Sequence, residues 1–295
     1  WNPMLSQPKI IIKVEVPLMM SKTCRLFAFL LISISPQLFS DTIDPIEVSL
    51  DVFQGGIVVG KVAPGYRLTY SDRELHISSS GTFVFGVGRD ASGYAELKVF
   101  ERNDAMSSKK IEIVERDYNI QYVEGVPQRT VTPTETDLTK IQRDAELVKA
   151  ARKHELVEPL FLEGFVRPIQ GQITGVYGSQ RIYNGTPGRP HYGIDYAAPK
   201  GSNVVAPAPG IIRLSESDLF YSGGTIILDH GYGISSSFLH LSQVLVEVGD
   251  RVNFGDVIGL VGSTGRSTGP HLDWRMNWFD VRIDPEIVLD VLPRK

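Results

Sequence analysis

Cysteine is almost missing from this chain. One thiol, Cys24, occurs in 295 residues, and it falls in the N-terminal segment, ahead of any stretch patterned as a fold. Its position excludes a disulfide framework, a cysteine nucleophile and a thiolate metal site from the body of the protein. Long hydrophobic runs are also missing: the apolar stretch Leu26–Ile34 is far shorter than the roughly 20 residues that span a bilayer. Positive charge is nowhere concentrated. The net charge is −4, and residues 41–159 and 160–295 are each net negative, so no nucleic-acid footprint is present. No His-Glu-x-x-His helix occurs, which argues against a glutamate base of the thermolysin kind.

What is there begins with a secretory pattern. Lys22 and Arg25 precede the run Leu26–Ile34, and the small residue Ser40 follows a short polar stretch. Basic start, apolar centre and small-residue cleavage site together predict a signal peptide in residues 1–40, beginning near Met20. Residues 1–19 read as translated upstream sequence, with Met19 or Met20 as the start. Cleavage after Ser40 would leave no thiol and no cysteine for a lipid anchor.

With 42% hydrophobic and 22% charged residues, the remainder is ordinary globular sequence with room for two modest domains. Residues 41–120 alternate in short apolar-polar runs, Ile46–Phe53, Gly56–Val62, Tyr66–Tyr70, Leu75–Ile77, Thr82–Val87 and Tyr94–Glu101, separated by turn residues. That spacing predicts a small β-sandwich. His76, its one histidine, is expected on a solvated strand face. The sandwich reads as a spacer, a binding module or a cover for a site downstream.

Residues 121–160 are expected to form a linker and one helix. Thr134 or Thr136 is its candidate cap, and Leu138, Ile141, Ala145, Val148 and Ala151 its apolar stripe. His154 should be a surface residue at its end. Residues 161–292 turn glycine-rich and β-branched, predicting strands at Val204–Ala206, Gly210–Ser215, Gly224–Asp229, Ser235–Leu239, Val252–Val261 and His271–Trp278. The fold class is therefore mainly β, ending in an antiparallel sheet domain.

Chemistry concentrates there. Four of the six histidines (191, 230, 240 and 271) lie within 81 positions. His191-Tyr-Gly-Ile-Asp195 follows a turn-rich loop with Asn184-Gly185 and Pro187-Gly188, and a turn at Gly193 would bring His191 and Asp195 onto one centre. His271 and Asp273 are two apart on a strand and share a face. Leu272, Trp274, Met276 and Trp278 take the opposite face and should be core. Imidazole and carboxylate ligands suit zinc, and a catalytic zinc site needs three of them plus an open position.

The motifs also occur in a particular order: His-x-Gly-Ile-Asp, Ala-Pro-x-Gly, Asp-His-Gly, His-Leu-Ser, Val-x-x-Gly-Asp-x-Val-x-x-Gly-x-x-Ile-Gly and Gly-x-Ser-Thr-Gly-Pro-His-Leu. From about Arg167 to Pro285 this resembles the lysostaphin-like, or LytM-type, zinc endopeptidases. The resemblance implies a zinc peptidase domain, with His191 and Asp195 as metal ligands and His240 and His271 as catalytic histidines. The second position of the family's His-x-His supplies its third ligand. Here that position is Asp273, and the usual His-x-His-Phe-Glu becomes His271-Leu-Asp273-Trp-Arg275. His230 matches a family position outside the ligand set and is taken as a turn residue.

Metal-assisted amide hydrolysis of peptidoglycan stems or cross-bridges, in the periplasm, is the activity implied. A degenerate member that binds peptidoglycan or activates another hydrolase is the alternative, and a zinc-bound structural protein a third. Gly249-Asp250, Val252, Gly255, Ile258 and Gly259 also resemble biotinyl and lipoyl carrier hairpins, but no lysine occurs between Lys200 and Lys295 to carry such a group.

Overall fold

Period-two alternation is clearest in Tyr94–Phe100, where Ala95, Leu97 and Val99 are buried and the residues between them face outward. In the computed structural model, residues 44–48, 51–102, 106–123, 135–183 and 186–295 are described. The proposed signal, Thr134 and Asn184-Gly185 lie outside them. The first half holds β1 (Ile46–Val48), β2 (Val52–Phe53), β3 (Ile57–Val62), β4 (Arg67–Tyr70) and β5 (Arg73–Glu74). It continues through β6 (Thr82–Gly86), β7 (Tyr94–Phe100), β8 (Met106–Val114), β9 (Ile120–Val123) and helix α1 (Glu135–Ala151). The first eight strands form a three-stranded sheet ordered β1-β3-β6 and a five-stranded sheet ordered β2-β8-β7-β4-β5.

The second half contains β10 (Gln172–Gly175), β11 (Gln180–Tyr183), β12 (Thr186–Pro187), β13 (Gly193–Ala197), β14 (Asn203–Val205), β15 (Gly210–Leu219) and β16 (Gly223–Gly231). After these come β17 (Ile234–Leu241), β18 (Gln243–Val244), β19 (Arg251–Val252), β20 (Val257–Leu260), β21 (His271–Trp278), β22 (Val281–Ile283) and α2 (Pro285–Val291). Eight of these strands make the main sheet, ordered β10-β13-β21-β17-β16-β15-β19, with β22 paired to β21. Every residue of β16 and β17 is buried, because this sheet is covered on both faces. Leu272, Trp274, Met276 and Trp278 lie in the core as expected.

One apolar core spans both halves. Tyr70 packs against Phe85 and Trp278, with ring centroids 4.2 and 5.8 Å away. Gly86 lies so close to Trp278 that an added Cβ would meet its Cβ at 2.7 Å. No helix among the described residues is long and apolar enough to cross a membrane.

The structure departs from the sequence expectations in places with clear physical causes. Val252–Val261 is not continuous: Asn253 N donates to the Asp256 carboxylate at 2.7 Å, and Gly255 takes φ 83°, forming a tight turn between β19 and β20. β8 was not anticipated, since its Lys109, Lys110 and Glu112 disguise the alternation. β9 lies in the expected linker and pairs in parallel with β11. The stripe on α1 is rotated. Leu138 and Ala145 are exposed, while Asp144 turns inward to accept Phe220 N at 2.6 Å, beside Leu147, Val148 and Ala151. His76 is off any strand, hydrogen-bonded to Glu155 at 2.8 Å.

Candidate metal centre

Three neighbouring strands assemble the centre. β21 lies between β13 and β17, with Asp195, Asp273 and Leu239 in register across them. Residues directly opposite in an antiparallel pair project to the same face, so two carboxylates meet there, an arrangement that repels unless a cation intervenes. His191 reaches the same point from the loop before β13. Its backbone N donates to Ser179 O at 2.8 Å and its Nδ1 is 3.2 Å from Val176 O, which turns Nε2 inward. From Nε2, Asp195 Oδ1 is 3.1 Å away and Asp273 Oδ2 3.6 Å.

The expected turn at Gly193 is absent. Gly193 opens β13 opposite Arg275, and what matters is its missing side chain. A Cβ there would meet Asp273 Oδ1 at 2.5 Å and Arg275 Cγ at 2.7 Å. On the other side, a Cβ at Gly175 would meet Asp195 Oδ2 at 2.2 Å. Two glycines thus make room for two carboxylates.

The residues present fit a divalent metal. Ligand atoms of His191, Asp195 and Asp273 lie within 4.8 Å of one another. His191 Nε2 and Asp195 Oδ1 are buried and, although 3.1 Å apart, are not aligned in a hydrogen bond with each other or with any other described group, a costly condition that ligation would relieve. Burial works against a charged His191 ring, yet the Asp195 and Asp273 carboxylates outweigh it and push its pKa up to about 10. Burial likewise opposes ionised Asp273, but Arg275 and His191 hold its carboxyl far below the usual range. The pocket demands positive charge, and one imidazole with two carboxylates suits zinc.

His240 and His271 flank these ligands. Strand alternation would send His240 to the core face with Phe238. Instead it adopts φ 65° where the β16–β17 register shifts, and this bulge re-aims its ring toward His271, centroids 4.8 Å apart. His240 Nδ1 is 2.8 Å from Thr264 O, and His271 Nδ1 is 2.8 Å from Gly269 O. Carbonyls only accept, so each Nδ1 carries the proton and each Nε2 keeps its lone pair. His271 Nε2 lies 3.9 Å from Asp195 Oδ1. Burial lowers the pKa of His240, keeping it neutral at neutral pH. His230 is no turn residue. It is fully buried in β16, between Pro209 O at 2.8 Å and Ser236 Oγ at 2.9 Å, and takes no part in the centre.

Arg275 clamps Asp273. Its Nε donates to both carboxylate oxygens at 3.0 Å and its Nη2 to Oδ2 at 2.5 Å. Gly175, Val176 and Thr264 also shape the site, and no motif marked them, because each acts through its backbone or its lack of a side chain.

Residues 189–285 match peptidase family M23, and the chain carries a peptidase domain of this lysostaphin/LytM type. Over 87 residues it is 39% identical to peptidoglycan DD-endopeptidase ShyA of Vibrio cholerae, covering 30% of this chain and 20% of that protein. Over 86 residues it is 46% identical to DD-carboxypeptidase/endopeptidase Mpg of Neisseria meningitidis, covering 29% and 20%. The matched segments are thus about a fifth of the length of these relatives. A solved chain from Pseudomonas aeruginosa assigned to peptidase M23 superposes with a TM-score of 0.65 at 27% identity, covering 81% of this chain and 96% of that one.

Proposed function

We propose that this protein is an exported, zinc-dependent endopeptidase that hydrolyses peptide cross-links of peptidoglycan in the periplasm. The observation that carries the reading is the convergence of His191 Nε2, Asp195 Oδ1 and Asp273 Oδ2, the first two buried without an aligned hydrogen bond, beside two histidines whose Nδ1 protons face carbonyls. His191, Asp195 and Asp273 would hold the metal, which when bound supplies Lewis-acid polarisation of the scissile carbonyl and acidifies water. Neutral His240 accepts a proton at Nε2, and His271 stands close enough to take that proton up at its own Nε2 and, once protonated there, to donate to a developing oxyanion. The relatives named as DD-endopeptidases support the choice of substrate.

Digestion of purified peptidoglycan tests this. Zinc-loaded protein should release uncrosslinked muropeptides, chelation should abolish release and zinc should restore it. Export is tested separately, by mass spectrometry of the N-terminus after expression, where cleavage near Ser40 is expected and an intact N-terminus upstream of Leu26 would refute it.

A second reading draws on the Arg275 clamp. If Arg275 holds both Asp273 oxygens away from a metal, the domain is a non-catalytic member that binds peptidoglycan or activates another hydrolase. Zinc-free protein that sediments with peptidoglycan and never cuts it would favour that reading.

A further inference from the structure

The face of β21 that carries His271 and Asp273 continues through Arg275 and Asn277, and it gathers more positive charge than the candidate metal centre employs. Arg275 is engaged by Asp273, but two further guanidiniums stand nearby. Arg152, one residue past α1, donates from Nη2 to Ser237 Oγ at 3.2 Å, and Ser237 is the β17 residue opposite Arg275. Arg282 of β22 donates from Nη1 to Asn277 Oδ1 at 2.9 Å and is paired with Asn277 in register.

Neither arginine forms an ion pair with a carboxylate among the described residues, and Arg152 Nε is buried with no hydrogen-bond partner. Proteins ordinarily pair or expose such charges, because an isolated buried ion is expensive. Burial, reinforced by the neighbouring guanidiniums, draws Arg152 down to about 9 and Arg282 down to about 10, and both stay charged at neutral pH. Both residues are half-buried. Tyr192, next to His191 in the chain, has its ring 5.9 Å from the Arg282 guanidinium, which ties this cationic cluster to the metal centre.

We propose that Arg152 and Arg282 form a carboxylate-binding subsite that seats a free carboxylate of the peptide substrate beside the scissile bond. The proposal rests on the peptidase reading above. A planar carboxylate matches the guanidinium fork, whereas a carboxamide brings no charge and offers a single acceptor oxygen. The chain would therefore select peptides whose residue on the leaving-amine side keeps its acid, and would discriminate against amidated ones.

Equilibrium binding of N-acetyl-D-alanyl-D-alanine and of its C-terminal amide to the full chain tests the subsite without requiring turnover. Parent protein should bind the acid about tenfold or more tightly than the amide, the equivalent of one charge-assisted hydrogen bond. Arg152→Gln and Arg282→Gln should each reduce that preference, Arg282→Lys should retain part of it, and zinc content should be unchanged in all three. Equal or absent binding of acid and amide by the parent overturns the proposal, as does a preference that survives in both glutamine variants. The peptidase reading stands or falls separately, on peptidoglycan digestion by the parent: acid preference without digestion would retain the subsite and remove the activity.

Discussion

Asp195 of β13 and Asp273 of β21 are directly opposed residues of one antiparallel pair, with His191 Nε2 3.1 Å from the first carboxylate and 3.6 Å from the second. Ligand and proton-transfer roles are separable in this arrangement. His191→Ala and Asp195→Ala should lose zinc on dialysis. His240→Ala should keep it and lose turnover by about 10²–10⁴-fold, the usual worth of a general acid or base. Metal analysis alongside muropeptide release checks this, and equal metal loss in all three variants would make His240 a ligand.

Asp273 is predicted to bind the metal while held by Arg275. Asp273→Ala should lose zinc and activity, Asp273→His should keep zinc, and Arg275→Ala should lower turnover more than zinc content. Asp273→Ala also leaves the half-buried Arg275 guanidinium without its ion-pair partner, so its stability should drop. Zinc titration with thermal melts of the three variants decides the point. Undiminished zinc affinity in Asp273→Ala would remove Asp273 from the ligand set.

The glycines beside the carboxylates give a test that leaves every ligand intact. Gly193→Ala places a Cβ 2.5 Å from Asp273 Oδ1, and Gly175→Ala places one 2.2 Å from Asp195 Oδ2. Each should weaken zinc binding by about 10–100-fold, as supporting substitutions around metal ligands do. Gly88→Ala, with nothing within 4 Å of the added Cβ, should leave affinity unchanged.

His230 predicts an acid-sensitive fold. Burial first, partly offset by its bond to Pro209 O, lowers its pKa to about 4 from an ordinary 6.5. The unfolded chain therefore takes up the proton before the folded one. Stability is full above pH 6.5 and falls as pH drops toward 4, by about 3 kcal/mol. Urea melts of chelated parent and His230→Gln across this range should show a shallower pH dependence in the variant.

The positions that the sequence revealed are those governed by simple periodicity. β21 is one: His271, Asp273 and Arg275 alternate with Leu272, Trp274 and Met276, so both its core and its chemical face could be assigned from the residues alone. His240 was legible only as part of a motif. Its approach to His271 depends on a positive φ and a register shift, neither of which alternation can express. The inward turn of Asp144 depends on Phe220 N, 76 residues away, and no local pattern reports such a partner. His230 reads as a turn residue just past the expected strand end at Asp229, yet β16 runs on to Gly231 and buries it.

The Asp273–Arg275 clamp has a consequence for how such a site changes over generations. Relative to His-x-His-Phe-Glu, the two positions have exchanged polarity, with the acid now at the first and the base at the second. Asp273→His alone would leave the half-buried Arg275 without its ion-pair partner, and Arg275→Glu alone would crowd a third carboxylate beside Asp195 and Asp273. Either single step passes through a strained intermediate, so the substitutions are epistatic. A route between the two patterns is smoothest when a neutral residue occupies position 275 first, and that order can be replayed by ranking the stabilities of the corresponding single and double variants.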